Sequence, residues 1–390
     1  MTTVGAVTRV IPAALVALVL APAAEAVVPA VHAHRGGPVL AGAPTFPEET
    51  MPAFENTARN LHVVLELDAK LTADDVPVVI HDATLDRTTN CEGLVADRTL
   101  AELAPCRVDL LGVPTEGDEP VPAPDPAAVP TLAEVLAFAK AEGVGINLEI
   151  KNVPTDDDYD PTSAFAERVM DVVLESGIPA SQVIIQSFVP DNLDVAERRM
   201  PDAQISFLSL AQTNDLAIDF AAARGWDWVS PAWPIDSAYV ERAHASQLKV
   251  VPYTLNTTED IGEATDAGVD AVITDDPLMA LQTLDTEPAV VALTPLSKRL
   301  ARVRRSRKVR VAVSSDEPAT VKLIARLRRT VIGRRTVTFD AAGGKGVALQ
   351  LNRRGRRALE DRERASVKLI AKTTDLALNR GKVRVGAPLG

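Results

Sequence analysis

From residue 31 to about 284 the chain alternates short apolar runs with longer stretches whose apolar positions recur every three or four residues. The runs Val31–Arg35, Val63–Asp68, Gly145–Lys151, Gln182–Phe188, Gln204–Ser209, Trp226–Ser230, Lys249–Leu255 and Val269–Thr274 predict strands. The periodic segments between them, among them Leu132–Glu142, Ala164–Ser176, Ser237–Ser246 and Thr258–Ala267, predict helices. Eight strands alternating with helices over ~250 residues fit an α/β fold, a TIM-type (β/α)8 barrel. A doubly wound open sheet is the alternative, but no glycine-rich phosphate fingerprint follows the first strand.

One run breaks the alternation. Val76–His81 is strand-like, yet too few residues separate it from Asp68 for a parallel crossover, which needs a dozen or more. An antiparallel hairpin is expected instead, turning through Ala73-Asp74-Asp75 and returning His81 beside Leu67. Residues 113–130, rich in proline and acid, read as an irregular loop that either borders a site or is a solvated connector. Beyond residue 287 the pattern changes. Val309–Ser314, Ala319–Leu327, Thr336–Phe339, Val347–Leu351, Ala365–Thr373 and Lys382–Val385 predict short strands of a small all-β, sandwich-like unit.

Charge divides the chain at the same place. Residues 1–287 hold 15 Lys and Arg against 46 Asp and Glu, a balance of −31, and residues 288–390 hold 26 against 7, a balance of +19. The boundaries expected are 31–287 for the barrel and 288–390 for a basic β-rich unit. At the N-terminus Arg9 precedes the small and apolar run Val10–Ala21, and Ala24-Glu25-Ala26 offers a cleavage site. Residues 1–26 therefore read as a signal peptide, and the mature protein as secreted, with no transmembrane segment. In an oxidising compartment the two cysteines, Cys91 and Cys106, are expected to pair.

In such a barrel the site lies at the C-terminal ends of the strands. The polar residues there are His34 and Arg35 after the first strand, Glu66 and Asp68 on the second, and Glu149 and Lys151 on the third. Alternation puts Glu66 with Asp68, and Glu149 with Lys151, on one strand face. Inward carboxylates are costly unless paired. Glu66, Asp68 and Glu149 suit a hard divalent ion, Ca²⁺ or Mg²⁺, and no Cys/His cluster points to zinc. His34 and His81 are candidate acid and base. Arg35 and Lys151 supply fixed positive charge for a phosphate. Metal, two cations and two proton carriers together suit phosphoryl transfer.

These motifs resemble the glycerophosphodiester phosphodiesterase family. The resemblance rests on His34-Arg35-Gly36, PEETMPAF at 47–54, ELD at 66–68, PVVIHD at 77–82 with LDRTTN after it, and LEIK at 148–151. It continues through IIQSF at 184–188, PYTLN at 252–256 and GVDAVITDDP at 268–277. It implies a metal-dependent hydrolase of glycerophosphodiesters in lipid metabolism, with His34 and His81 as the catalytic pair. Glu66, Asp68 and Glu149 would be the metal ligands, with Arg35 and Lys151 on the phosphate. Glu48 would stand behind Arg35 or the metal. The sequence departs from the family at Glu49, where an asparagine is usual; this carboxylate either borders the substrate or faces solvent.

Two alternatives differ in class. One is an exported enzyme acting on phospholipid, in the manner of a phospholipase D, or on wall polymers of the teichoic-acid type. In that case residues 288–390 would contact an anionic cell wall or lipid surface. The other is a barrel that binds phosphodiesters without turnover. Nucleic acid is not expected as a partner, because Phe339 is the only aromatic residue after 287.

Overall fold

Eight parallel strands wrap into a nearly closed barrel with helices outside it. The computed structural model describes residues 28–390 apart from 116, 118 and 361, so the stretch 1–26 read as a signal peptide lies outside the described residues. The strands are β1 (Ala30–Ala33), β2 (Val64–Leu71), β6 (Ile146–Ile150), β7 (Val183–Ser187), β8 (Gln204–Ser209), β9 (Trp228–Pro231), β10 (Lys249–Val250) and β11 (Ala271–Thr274). Neighbours in sequence are neighbours in the sheet, and β1 joins β11 in parallel. Between β10 and β11 the ring is closed by isolated bonds: Asp270 N–H donates to Val250 O, and Ile273 N–H to Pro252 O.

The alternation of side chains decides what each barrel face carries. Leu65, Leu67 and Ala69 of β2, and Ile146, Leu148 and Ile150 of β6, pack into the apolar layer beneath the helices. A strand places successive residues on opposite faces. Glu66, Asp68 and Lys70, with Asn147 and Glu149, are left on the other face. The helices have local start and stop signals. Leu132–Glu142 begins in a capping box, with Thr131 accepting from Glu134 N–H and Glu134 accepting from Thr131 N–H, and ends at Gly143 in the left-handed region.

The hairpin forms in the expected register. β3 (Pro77–Val79) lies antiparallel to β2, with Ala69 opposite Val79 and Leu71 opposite Pro77. Two residues further along, the same register brings His81 beside Leu67. The loop expected at 113–130 is in part a strand: β5 (Pro122–Ala128) pairs antiparallel with β4 (Arg107–Leu110) despite its prolines. A two-stranded ribbon has only edges, so a missing N–H costs little there. Beside the ribbon Cys91 and Cys106 form a disulfide, with Cα atoms 5.6 Å apart.

Residues after 290 build two antiparallel sheets. The first has the order β12 (Val291–Pro295), β13 (Lys308–Ser315), β16 (Gly343–Gln350). The second has the order β15 (Thr330–Phe339), β14 (Ala319–Leu327), β17 (Ala365–Asp375), β18 (Lys382–Leu389). Val309, Val311 and Leu349 of one sheet and Leu323, Val367 and Leu369 of the other share one apolar core, as a sandwich requires. β12 and the helices Leu300–Ser306 and Arg353–Glu360 escape the hydrophobic pattern. Both helices are short and arginine-rich, and each buries only two residues, Leu300 and Val303 in one and Gly355 and Leu359 in the other, too short a stripe to announce it.

Candidate active site

Each of the seven residues expected at the site sits where the barrel opens, and each is buried or nearly so. β1 ends at Ala33, and the chain turns sharply through His34-Arg35-Gly36. Arg35 and Gly36 both adopt positive φ. A side chain at Gly36 would meet the Phe54 ring at 2.9 Å, so only glycine fits the turn. The turn points Arg35 N–H at Glu66 Oε2, 2.8 Å away, and Gln186 Nε2 donates to Glu66 Oε1 at 2.7 Å. Lys151 Nζ lies 3.1 Å from Glu149 Oε2 and 3.3 Å from Asp68 Oδ1.

Glu66, Asp68 and Glu149 each offer an oxygen within 4.8 Å of the others. Glu49 adds a fourth carboxyl. It is buried, which rules out the solvent-facing alternative, and its Oε1 accepts from Asp68 N–H at 3.1 Å. Glu48 lies behind Arg35, accepting from its Nη1 at 2.9 Å and from Arg87.

Burial shapes the charge states. It raises Glu66 to about 7, helped by Asp68, and Glu149 to about 8 against the opposing pull of Lys151. It also pushes Glu49 well above the carboxylate range, again with Asp68. Asp68 stays well below its usual value, because Lys151, His81 and Arg35 outweigh its burial. Glu49 Oε2, Asp68 Oδ2, Glu149 Oε1 and Arg35 Nε are buried with no hydrogen-bond partner. A protein rarely leaves such atoms bare. Three partnerless carboxylate oxygens fit a hard divalent cation, and a partnerless guanidinium nitrogen fits an anion.

The two histidines are held differently. His34 Nδ1 lies 2.5 Å from Asp275 Oδ1. Burial alone would lower its pKa, but Asp275 more than offsets that, and Glu66 adds to it, so His34 is raised. His81 Nδ1 lies 2.5 Å from Asp82 Oδ1, and Asp82 is itself bound by Arg87. Burial and the nearby Lys151 lower His81 to about 4. A cavity of about 570 Å³ opens beside it, lined by His81, Lys151, Asp156, Phe188 and Leu210 among others.

Asp275, Asn256, Asp82, Arg87 and Gln186 were not singled out from the sequence. Asp275 could have been: it is an acid directly after the eighth barrel strand, where functional groups collect. Two other histidines make structural contacts. His32 is buried inside the barrel 3.3 Å from Asn147 Nδ2, and His244 pairs with Asp270 at 2.8 Å.

Residues 34–279 match the model of the glycerophosphoryl diester phosphodiesterase family. The chain belongs to this family. The glycerophosphodiester phosphodiesterase of Bacillus altitudinis is 30% identical over 255 residues, 65% of this chain and 96% of that protein. A glycerophosphoryl diester phosphodiesterase structure from Silicibacter pomeroyi superposes with a TM-score of 0.57 at 26% identity, covering 67% of this chain and 94% of that one. A phosphodiesterase of Oleispira antarctica shares the fold, with a TM-score of 0.54 at 22% identity over 67% of this chain and 98% of its own. The enzyme is a glycerophosphodiester phosphodiesterase on a TIM-type barrel that continues into an all-β unit, and its substrates are small glycerophosphodiesters.

Proposed function

We propose that this phosphodiesterase hydrolyses glycerophosphodiesters to an alcohol and glycerol phosphate by acid/base catalysis between His34 and His81, with a divalent cation held by Glu66, Asp68 and Glu149. The observation that carries the proposal is the opposite tuning of the two histidines beside the close-set carboxyls of Glu66, Asp68 and Glu149, of which Asp68 and Glu149 each keep one partnerless oxygen. Groups pushed apart in pKa divide naturally into acid and base. The Oleispira antarctica protein was solved with the product sn-glycerol-3-phosphate, which agrees with a glycerol phosphate product here. When bound, the cation, Ca²⁺ or Mg²⁺, would neutralise phosphate charge in the transition state.

The protein's own groups account for the rest. Arg35 and Lys151 bind the phosphate oxygens. His81, neutral at pH 7, takes the proton of the neighbouring glycerol hydroxyl as its oxygen attacks phosphorus. The bond from phosphorus to the departing alcohol breaks, and His34, protonated and held by Asp275, gives that oxygen its proton. A cyclic phosphate remains. Water then attacks with the roles exchanged, His34 accepting the proton and His81 returning one to the ring oxygen that leaves. The cavity beside His81 gives room for the glycerol end of the substrate, whose hydroxyl His81 deprotonates. Glu49 lies against the metal-side carboxyls, so the proposal gives it no contact with the headgroup.

The enzyme is also proposed to act after export. The N-terminal pattern and the Cys91–Cys106 bridge support this. Among the described residues no helix is long and apolar enough to cross a membrane. Residues 288–390 would meet an anionic surface.

The test is alcohol release from glycerophosphocholine with and without chelator. Chelation should abolish turnover and Ca²⁺ or Mg²⁺ should restore it. His34→Ala and His81→Ala should each lower kcat by at least ~10²-fold. Full activity in chelator, or near-normal rates in either variant, would remove that group from the scheme. Equal rates on diesters lacking the vicinal hydroxyl would eliminate internal attack.

A further inference from the structure

We infer that the exposed face of the four-stranded sheet docks this enzyme on an anionic lipid bilayer. The strand register builds the face. Lys322 of β14 lies opposite Lys372 of β17, which lies opposite Lys382 of β18. Two residues along, Arg334, Ile324, Ile370 and Arg384 form a second row across all four strands. Two further along, Arg326 lies opposite Lys368. The seven cationic residues are all exposed and share one face by alternation, while Ile324 and Ile370 lie among them, partly or wholly buried. With strands ~4.8 Å apart and alternate residues ~6.8 Å apart, the array covers roughly 14 by 14 Å.

This arrangement works against the fold. Like charges directly opposite one another destabilise a sheet, and among the described residues no Lys or Arg after residue 287 has a carboxylate within ion-pair distance. The repulsion is felt at Lys382, whose pKa is lowered chiefly by Arg384, with Lys372 and Lys368 contributing. Protection of sheet edges does not explain the array, because that needs charge on edge strands. Four of the seven, Lys322, Arg326, Lys368 and Lys372, stand on the two central strands. Solubility would be served equally by mixed signs, yet no acid occupies this face.

The occupant is therefore an array of anions. A bilayer presents its charges in two dimensions, as the face does. No aromatic ring is present to stack bases, which disfavours single-stranded nucleic acid. The choice of lipid rests on the function proposed above: a glycerophosphodiester is a phospholipid without its acyl chains, so the substrate arises where phospholipid is deacylated. The acidic barrel is repelled by the same surface, which leaves the basic sheet to make the contact.

Vesicle sedimentation of the full chain tests this without any turnover. At ~50 mM salt the protein should pellet with vesicles of 30 mol% phosphatidylglycerol in phosphatidylcholine, not with phosphatidylcholine alone, and 0.5 M salt should release it. The loss is worth about fivefold per cation, so Lys322→Glu with Lys368→Glu and Lys372→Glu should weaken binding by at least ~10²-fold. A control pair, Arg302→Glu with Arg305→Glu, lies beside a cavity of about 490 Å³ flanked by Lys308 and Arg310 of the other sheet; it should weaken binding less than tenfold. Unchanged far-ultraviolet circular dichroism establishes that each variant is folded, unchanged hydrolysis of soluble glycerophosphocholine that its barrel is intact, and glutamine replacements serve if the glutamates are not. Equal losses in both variants, no vesicle binding, or tighter binding to duplex DNA or to soluble poly(glycerol phosphate) would overturn the inference. Vesicle binding by a protein that hydrolyses no diester would sink the proposed reaction and leave the surface standing.

Discussion

Asp275→Asn isolates the electrostatic device that keeps His34 protonated. The replacement is close to isosteric, and Asn256, which donates to Asp275 Oδ2 at 2.5 Å, can still hold the side chain in place. What is lost is one negative charge 2.5 Å from His34 Nδ1, with both side chains mostly shielded from water. A hydrogen bond to a charged partner contributes about 1.5–3 kcal/mol. At 1.36 kcal/mol per pKa unit this is a fall of about 1–2 units for His34. Its pKa is raised in the native enzyme; without Asp275, burial takes over and carries it below the ordinary histidine value. The acid form is the one the first step needs, so the rate falls as pH rises through this pKa. The variant's alkaline limb should therefore move about 1–2 units toward acid. At pH 7.5 the protonated fraction, and kcat/KM with it, should drop about 10- to 100-fold. The assay is the pH profile of kcat/KM on glycerophosphocholine. Much of the lost rate should return as pH is lowered, until His81 begins to protonate near its lowered value of about 4. An alkaline limb unmoved by the substitution would refute the reasoning, as would a uniform loss at every pH.

Three further outcomes follow from the structure. Cys91→Ser with Cys106→Ser opens a loop of 15 residues and should cost about 3 kcal/mol, read by denaturant unfolding against the oxidised protein. Glu49→Gln removes one buried carboxylate beside Asp68; since site affinity follows ligand charge, calorimetry should find Ca²⁺ bound about tenfold more weakly. Lys372→Glu places an opposite charge between Lys322 and Lys382 and should stabilise the fold by about 1 kcal/mol, seen as a raised denaturation midpoint.

The barrel was legible because its strands are apolar runs with nothing else to be, and because the one exception carried its own explanation. The short link from β2 to β3 admits only an antiparallel return, and that return fixes the register of His81. Glu66, Asp68 and Glu149 were legible for a related reason: acids inside otherwise apolar strands contradict the local pattern. Asp275 escaped although it directly follows the last barrel strand, because its role depends on a distant partner. Its partner His34 is 241 positions away, and only closure of the ring through β1 and β11 brings them together. Gln186 escaped as a neutral residue in a strand, where it reads as ordinary polarity. β5 was lost to its prolines, which in a longer sheet would have excluded it. β12 was lost because VALTP has too few alternations to separate it from a linker.

The split of charge has a consequence for the molecule in dilute buffer. One end of the chain carries −31 and the other +19, so two copies attract barrel to sandwich. Such a contact joins unlike patches, and unlike patches make open chains unless a rotation happens to close them. At ~0.01 M ionic strength the screening length is about 30 Å, long enough for one molecule to feel the far sign of the next. The protein should then behave as a weak, salt-reversible polymer and adhere to both cation- and anion-exchange media. A few hundred millimolar salt should return it to single molecules.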